Sequence, residues 1–297
     1  MVHHSLKSPF VILSSKCNLN CKYCFYNQNK DRNNLELDSN VLVDFLSFNS
    51  GIIKDIILTG GEPFMYKDIY VLLDALSNSN IKARINSNLT VLDKRKLTRN
   101  LGILSRVDTT IDHIDPEIND KIRGFSEKTM SNLRWFKSKN IPLEITIPLS
   151  KKNCFDIERI YLELRKLKPK EIFIQPVDIF TKSLDEDYSL ASLGKAELKI
   201  ILDRLKPWAR DYHRTRELGL MRNYYLKDKF PEGDCQMKKD LFVIDSDGAV
   251  YPCFHRHDLR CGNIYSDPPK SIMDDLAIKQ NSIDIKKCFG PKCIPLF

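Results

Sequence analysis

Apolar and β-branched positions bunch into short runs at Phe10 to Ser14, Asp55 to Thr59, Lys82 to Asn86, Val107 to Asp112, Leu143 to Pro148 and Glu171 to Pro176. Each has the length and composition of a strand. Between the runs the period lengthens, with apolar residues at helical spacing over Ser39 to Phe48, Lys67 to Leu76, Lys94 to Leu101, Glu127 to Lys139 and Asp156 to Leu167. Ser126 and Asp156 stand where N-caps are expected. Strand and helix in alternation predict a parallel α/β sheet with right-handed crossovers. Six such units suit a partial (β/α)6 TIM barrel better than the closed eight-unit one. In either architecture the working groups sit in loops after the carboxyl ends of the strands.

After Pro176 the rhythm changes. Thr181 to Leu193 is polar and loop-like, and Lys195 to Leu205 is amphipathic and stops at Pro207. From Trp208 onward a region with five of the nine cysteines begins. Within it Asp245-Ser246-Asp247-Gly248 separates Leu241 to Ile244 from Ala249 to Tyr251, the pattern of a hairpin. The expected division is therefore a barrel over 1–207 and a small second domain over 208–297. No internal repeat or low-complexity tract interrupts it.

Composition narrows the function classes. The 297 residues are 42% hydrophobic and 29% charged, an ordinary globular balance. No run of about eighteen apolar residues suggests a membrane span. Met1-Val2-His3-His4-Ser5 has neither a basic region nor an apolar core behind it, so no export signal is read and a cytoplasmic protein is expected. The formal charge of +8 is scattered, with Lys94, Arg95, Lys96 and Arg99 as one denser group. Without aromatics interleaved in a basic stripe it points to solvated faces, not to nucleic acid. An acidic peptide substrate suits the charge equally well. Nine cysteines without an export signal indicate metal ligation or reactive thiols instead of disulfides.

Cys17, Cys21 and Cys24 form C-x3-C-x2-C directly after the first strand. Three thiolates can hold three irons of a cubane and leave the fourth open, whereas full protein ligation normally supplies four. A zinc site is the rival, with Cys154 or His113 as the distant fourth ligand. Gly60-Gly61-Glu62-Pro63 follows the second strand. Alone it reads as a turn.

Together these motifs resemble the radical S-adenosylmethionine superfamily over nearly the whole chain. The resemblance implies a [4Fe-4S] cluster on Cys17, Cys21 and Cys24, and S-adenosylmethionine as cofactor. It places Tyr23, just before the third cysteine, against the adenine. Gly60, Gly61 and Glu62 match the family's GGEP motif, in which the glycine edge approaches the methionine amino group and Glu62 receives it. Ile85-Asn86-Ser87-Asn88 resembles the segment that turns a polar residue, Asn86 or Ser87, to the ribose, with Asn88 in place of glycine. Val107 to Asp112 resembles the SLD segment, Thr110 replacing serine. Ile122-Arg123-Gly124 resembles the element whose arginine reaches the cofactor carboxylate; otherwise Arg123 is a surface cation near a helix start. Asn153 and Gln175 are either cavity-facing or hydrogen-bonded core.

Cys235 and Cys253 enclose C-x12-G-x4-C around Gly248, followed by Gly262-Asn263-Ile264 and by Cys288 and Cys293. This resembles the SPASM and twitch auxiliary-cluster domains, and a single second [4Fe-4S] cluster on Cys235, Cys253, Cys288 and Cys293 is implied, the shorter twitch form. The C-x4-C spacing leaves Cys261 as an alternate ligand, and zinc on the same thiolates is again the rival. Cys154 and Cys261 remain, each an inert buried thiol or a hydrogen donor to a substrate radical.

The resemblance implies reductive cleavage of S-adenosylmethionine to methionine and a 5'-deoxyadenosyl radical that abstracts hydrogen from substrate. The leading expectation is modification of a ribosomally synthesised peptide by epimerisation, crosslinking or oxidation, although strand one begins almost at once and leaves no room for a leader-binding domain. Dehydrogenation of a small-molecule alcohol such as an aminocyclitol is the alternative, and a noncatalytic zinc-binding interaction module is the alternative of another class. Flavodoxin or ferredoxin is the expected reductant.

Overall fold

The computed structural model describes residues 6–24, 35–177, 186–229 and 235–284. The expected barrel strands all form: β1 (Ser8–Ile12), β2 (Asp55–Thr59), β3 (Lys82–Asn86), β4 (Leu104–Thr110), β5 (Leu143–Leu149) and β6 (Glu171–Pro176). Consecutive strands are neighbours and parallel throughout. The crossovers carry α1 (Ser39–Phe48), α2 (Ile69–Asn78), α3 (Lys94–Thr98), α4 (Pro116–Ile122), α5 (Ser126–Ser138) and α6 (Ile157–Arg165).

The two faces of the sheet differ in chemistry because the side-chain period of a strand is two. Outward positions such as Val11, Leu58, Ile85, Val107, Ile145 and Ile174 join Leu42, Phe45, Leu72, Leu133, Phe136 and Ile160 in one buried core under the helices. On β3 and β4 the opposite positions, from Arg84 and Asn86 to Arg106, Asp108 and Thr110, are polar. Arg84 pairs with Asp55 at 2.5 Å, and Arg106 lies between Asp108 at 2.6 Å and Glu144 at 2.5 Å. The interior is therefore lined by paired charges and hydroxyls, not filled by branched side chains as in a closed barrel.

One helix start differs from expectation, and a second keeps its expected N-cap residue without the capping bond. Phe125, not Ser126, occupies the N-cap of α5, in the left-handed region at φ 57°, behind Gly124 at φ 95°. That tight turn brings the chain into the helix one residue early, and the Ser126 hydroxyl bonds Asp120 instead. Asp156 sits at the N-cap of α6 but its side chain makes no capping bond.

The chain continues through α7 (Lys195–Arg204), α8 (Lys206–Asp211) and α9 (Thr215–Lys227). Pro207 falls in the first turn of α8, where its missing N–H is tolerated. The buried Trp208 donates its indole N–H to the Ile172 carbonyl at 2.7 Å, tying α8 to β6. The hairpin of β7 (Leu241–Ile244) and β8 (Ala249–Tyr251) forms as read, and β9 (Gly262–Asn263) joins β8. These strands are no separate layer. β7 pairs in parallel with β1, so the barrel sheet runs on into the cysteine-rich region in the order β6-β5-β4-β3-β2-β1-β7-β8-β9.

The last helix among the described residues, α10 (Pro269–Ser282), is locked to this junction by Gln280. Its amide donates to the carbonyls of Met237 and Leu241, both at 2.8 Å, and its oxygen accepts from the buried Lys7 ammonium at 2.7 Å. Burial lowers the Lys7 pKa, so this ammonium depends on its acceptors. Gln280→Ala leaves these groups unsatisfied and is expected to cost about 2–3 kcal/mol, measured as a lower urea midpoint with unchanged m-value.

Candidate active site

The loop after β1 is stitched to the loop after β2 by backbone alone. Gly61 N donates to Ser14 O at 2.7 Å and Glu62 N to Lys16 O at 2.8 Å. A Cβ on Gly60, at φ 137°, would lie 2.4 Å from Ser14 O, and one on Gly61 would lie 2.1 Å from Lys16 O. Both glycines are needed for this approach. It brings Cys17, Cys21 and Cys24 to one wall of a cavity of about 230 Å3 that also touches Gly60 and Gly61. The Cys17 sulfur accepts from Leu19 N at 3.4 Å and from Asn88 Nδ2 at 3.8 Å. Burial raises the pKa of Cys17 and pushes Cys21 up to about 11, so thiolate formation here calls for a nearby positive charge such as iron.

Glu62 is buried and held by three donors. Its Oε1 accepts from Ser87 Oγ at 2.7 Å and Phe64 N at 3.0 Å, and its Oε2 accepts from Asn88 N at 2.7 Å. Burial still raises its pKa, the condition in which an incoming ammonium is favoured. Ser87, expected to face a ribose, therefore orients Glu62. Asn86 also lines the cavity, and its Oδ1 is buried without a hydrogen-bond partner among the described residues.

Tyr23 and Arg123, which line the same cavity, form a closed set with Asp112, the last residue of the SLD-like segment. Tyr23 OH donates to Asp112 at 2.6 Å, Arg123 Nε donates to Asp112 Oδ2 at 2.9 Å, and Arg123 Nη2 donates to Tyr23 OH at 3.0 Å. Arg123 is thus not a surface cation: its side chain is 11% exposed. Thr110 and Thr146 line the cavity as well. A second cavity of about 220 Å3 shares Tyr23, Cys24, Thr110, Arg123 and Thr146, and continues past Pro148 to Gln175 and Val177. Asn153 does not reach either space; it is buried, donating to the carbonyls of Asp112 and Pro148 at 2.8 Å.

The other cysteines separate into two settings. Cys235 and Cys253 share an apolar cluster with Ile12, Met237 and Val243 beside the inward-facing Phe10. Cys288 and Cys293 lie outside the described residues. Cys154 and Cys261 belong to the main core, donating to the carbonyls of Lys151 at 3.7 Å and Leu259 at 3.4 Å, and neither lines the two cavities. His113 is buried, its Nδ1 accepting from Asp115 N at 2.9 Å. Among the described residues no three His, Cys, Asp or Glu side chains converge on one point, which thiolates serving separate irons need not do.

A thiolate trio, an arginine for a carboxylate and an orphaned Asn86 oxygen around one cavity, with the buried Glu62 carboxylate held by the cavity-lining Ser87 and Asn88, fit a cluster and the amino-acid end of S-adenosylmethionine. The chain matches the radical SAM superfamily over residues 11–175 and the SPASM iron-sulfur cluster-binding domain over 235–293. It belongs to the radical SAM superfamily, with S-adenosylmethionine and a [4Fe-4S] cluster as cofactors and auxiliary iron-sulfur in the SPASM domain. An uncharacterized protein of Methanocaldococcus jannaschii is 27% identical over 96% of this chain and 95% of its own length. Fe-coproporphyrin III synthase of Methanosarcina barkeri is 31% identical over 67% of this chain, which spans about half (52%) of that enzyme. The sporulation killing factor maturation protein SkfB of Bacillus subtilis is 24% identical over 95% of this chain and 67% of its own length. Among solved structures, Streptococcus suis SuiB bound to S-adenosylmethionine superposes with a TM-score of 0.70 at 18% identity, covering 96% of this chain and 69% of that one. The enzyme anSMEcpe with bound AdoMet gives 0.71 at 20% identity over 95% and 86%. These two likenesses show the shared fold.

Gly61→Ala is expected to push the cysteine loop off its seat and to reduce reconstituted iron at least several-fold, measured by iron and sulfide assay. Inside the barrel, burial raises the pKa of Asp108 and Glu144, each reinforced by like charge and opposed by arginine. A carboxyl raised in the folded state holds its proton where the unfolded chain has lost it. As far as these groups act, stability is therefore expected to be greatest below about pH 4 and to fall as the pH rises toward 8. Glu144→Gln is expected to flatten that slope in anaerobic urea titrations.

Proposed function

We propose that this protein modifies a peptide by hydrogen abstraction, with Cys17, Cys21 and Cys24 holding the cluster that cleaves S-adenosylmethionine. Held by these three thiolates, a [4Fe-4S] cluster would supply the electron for reductive cleavage of S-adenosylmethionine. The chain's own residues do the placing. Glu62 takes the amino group, Arg123 takes the carboxylate, and Asn86 and Thr110 serve the ribose side, while the tyrosine and the helices behind β4 keep water from that wall.

The observation that carries the peptide reading is the second cavity, which opens from the first and ends at Gln175 and Val177. At about 220 Å3 it lies below the range of about 300–1,000 Å3 common for sites that engulf a whole small molecule. It accepts one side chain while the rest of a peptide stays outside. The name of SkfB, and SuiB solved with its precursor peptide SuiA, support the same reading. Cys235 and Cys253, beside Phe10 at the barrel's edge, together with Cys288 and Cys293, are the proposed auxiliary ligands, able to take up an electron after hydrogen abstraction. A small acidic electron carrier of the flavodoxin or ferredoxin type suits the net charge of +8.

The test is anaerobic reconstitution followed by chemical reduction with S-adenosylmethionine. About eight irons per chain, as two [4Fe-4S] clusters require, with 5'-deoxyadenosine released by the native protein and none by Cys17→Ala, is the expected outcome. Stoichiometric zinc without cleavage overturns the enzyme reading. Deuterium entering a peptide product from solvent identifies epimerisation, and two-electron oxidation of an alcohol with no effect on any peptide overturns the peptide reading.

A further inference from the structure

We propose that Asp112 is a positioning residue that holds the cysteine loop and Arg123 as one unit, so that the affinity for S-adenosylmethionine is set by a carboxylate that never touches it. The inference rests on the cofactor reading above and adds a role for Asp112, the last residue of the SLD-like segment, to which that resemblance assigned none.

Asp112 lies one turn of chain beyond β4 and is wholly buried. Both its oxygens are taken by protein, Oδ1 by Tyr23 OH and Oδ2 by Tyr23 OH and Arg123 Nε. Its backbone is fixed as firmly. Asn119 Oδ1 accepts from Asp112 N at 3.0 Å and from His113 N at 3.1 Å, and Asn153 Nδ2 donates to Asp112 O. Asn119 belongs to α4, and its carbonyl accepts from Arg123 N at 2.8 Å. The same helix that carries Arg123 is thereby clamped to the strand end that carries its counter-ion.

A guanidinium has five N–H donors. Arg123 uses one of them, Nε–H, on Asp112 and one on Tyr23, and the others have no partner among the described residues, although the side chain faces both cavities. Those free donors are the ones available to a carboxylate. Their direction is dictated by the edge of the fork already pinned to Asp112, since the group is planar and rigid. Tyr23, between Cys21 and Cys24, brings the cluster loop into the same bonds. Moving the carboxylate moves the arginine and the loop together. Without it a buried guanidinium would also stand beside the cluster with no counter-charge, an arrangement buried charges avoid.

Asp112→Asn keeps the volume but replaces one acceptor by a donor that faces Arg123 or Tyr23. Residues that orient ligating groups typically change affinity by about 10–100-fold. The reconstituted Asp112→Asn holoprotein is therefore expected to retain its iron and to bind S-adenosylmethionine about 10–100-fold more weakly, by equilibrium dialysis. Its reduced cluster is expected to keep the cofactor-free electron paramagnetic resonance signal at concentrations that shift the native signal. Arg123→Lys is expected to weaken binding as well, and the double variant to bind no worse than the weaker single one, because both act through one contact. Affinity within twofold of native, or losses that multiply in the double variant, overturns the proposal. If Asp112→Asn does not assemble, the same cycle with Tyr23→Phe and Arg123→Lys decides it by the same criterion. A native protein that itself binds no cofactor contradicts the cofactor reading instead.

Discussion

The contact on which the rest depends is between two backbones: the Gly60-Gly61 segment lies against the carbonyls of Ser14 and Lys16 so closely that no Cβ fits. Two parallel strands need not have their following loops in register, because a crossover of more than forty residues separates β1 from β2. Here two N–H···O bonds continue the ladder past the strand ends and fuse the loops. The cysteines then line one cavity together with the glycines, and Glu62, next in sequence, is held by Ser87 and Asn88, which line it too. Asp112 performs a matching task for Tyr23 and Arg123, with side chains where the glycine edge uses backbone.

A second constraint is the division of the sheet into an apolar outer face and a charged inner one. The outer face supplies the hydrophobic stabilisation, with Val11, Leu58, Ile85 and Val107 buried under the helices. The inner face keeps space. Filling positions 84, 106, 108 and 144 with leucine would close the barrel over its floor, whereas arginine–carboxylate pairs hold their geometry and leave the upper interior open. Those pairs lose hydration on burial, offset by their mutual attraction and by the polar cavity above. The charged floor is thus a cost in stability that accompanies the site.

Much of this was legible in the sequence because the signals are local. β2, β3 and β6 begin and end where the apolar runs do, and α1 does the same. The cysteine trio and the Gly-Gly-Glu-Pro segment lie at strand ends, as the alternation of strand and helix required. The role of Asp112, on which the SLD-like segment ends, stayed hidden because its partners stand 89 and 11 residues away in sequence. The helix that presents Arg123 was missed although Asp115-Pro116 marks its start, since seven residues are too few for helical spacing to show. The hairpin near the C-terminus was readable from its Asp-Gly turn, but its parallel pairing with β1 was not, because that register joins segments more than two hundred residues apart. Ser126 misled for a local reason: the left-handed Phe125 ahead of it already starts the turn.

The central claim is that three cysteines seated on the glycine edge leave one iron open, flanked by Glu62 and Arg123. Pulsed electron–nuclear double resonance on the reduced, reconstituted protein with S-adenosylmethionine labelled with 15N in its amino group and 17O in its carboxylate tests it directly. The expected result is hyperfine coupling from both labels to the cluster. A cluster spectrum with no coupling from either label, in protein shown to hold the cofactor, would contradict it.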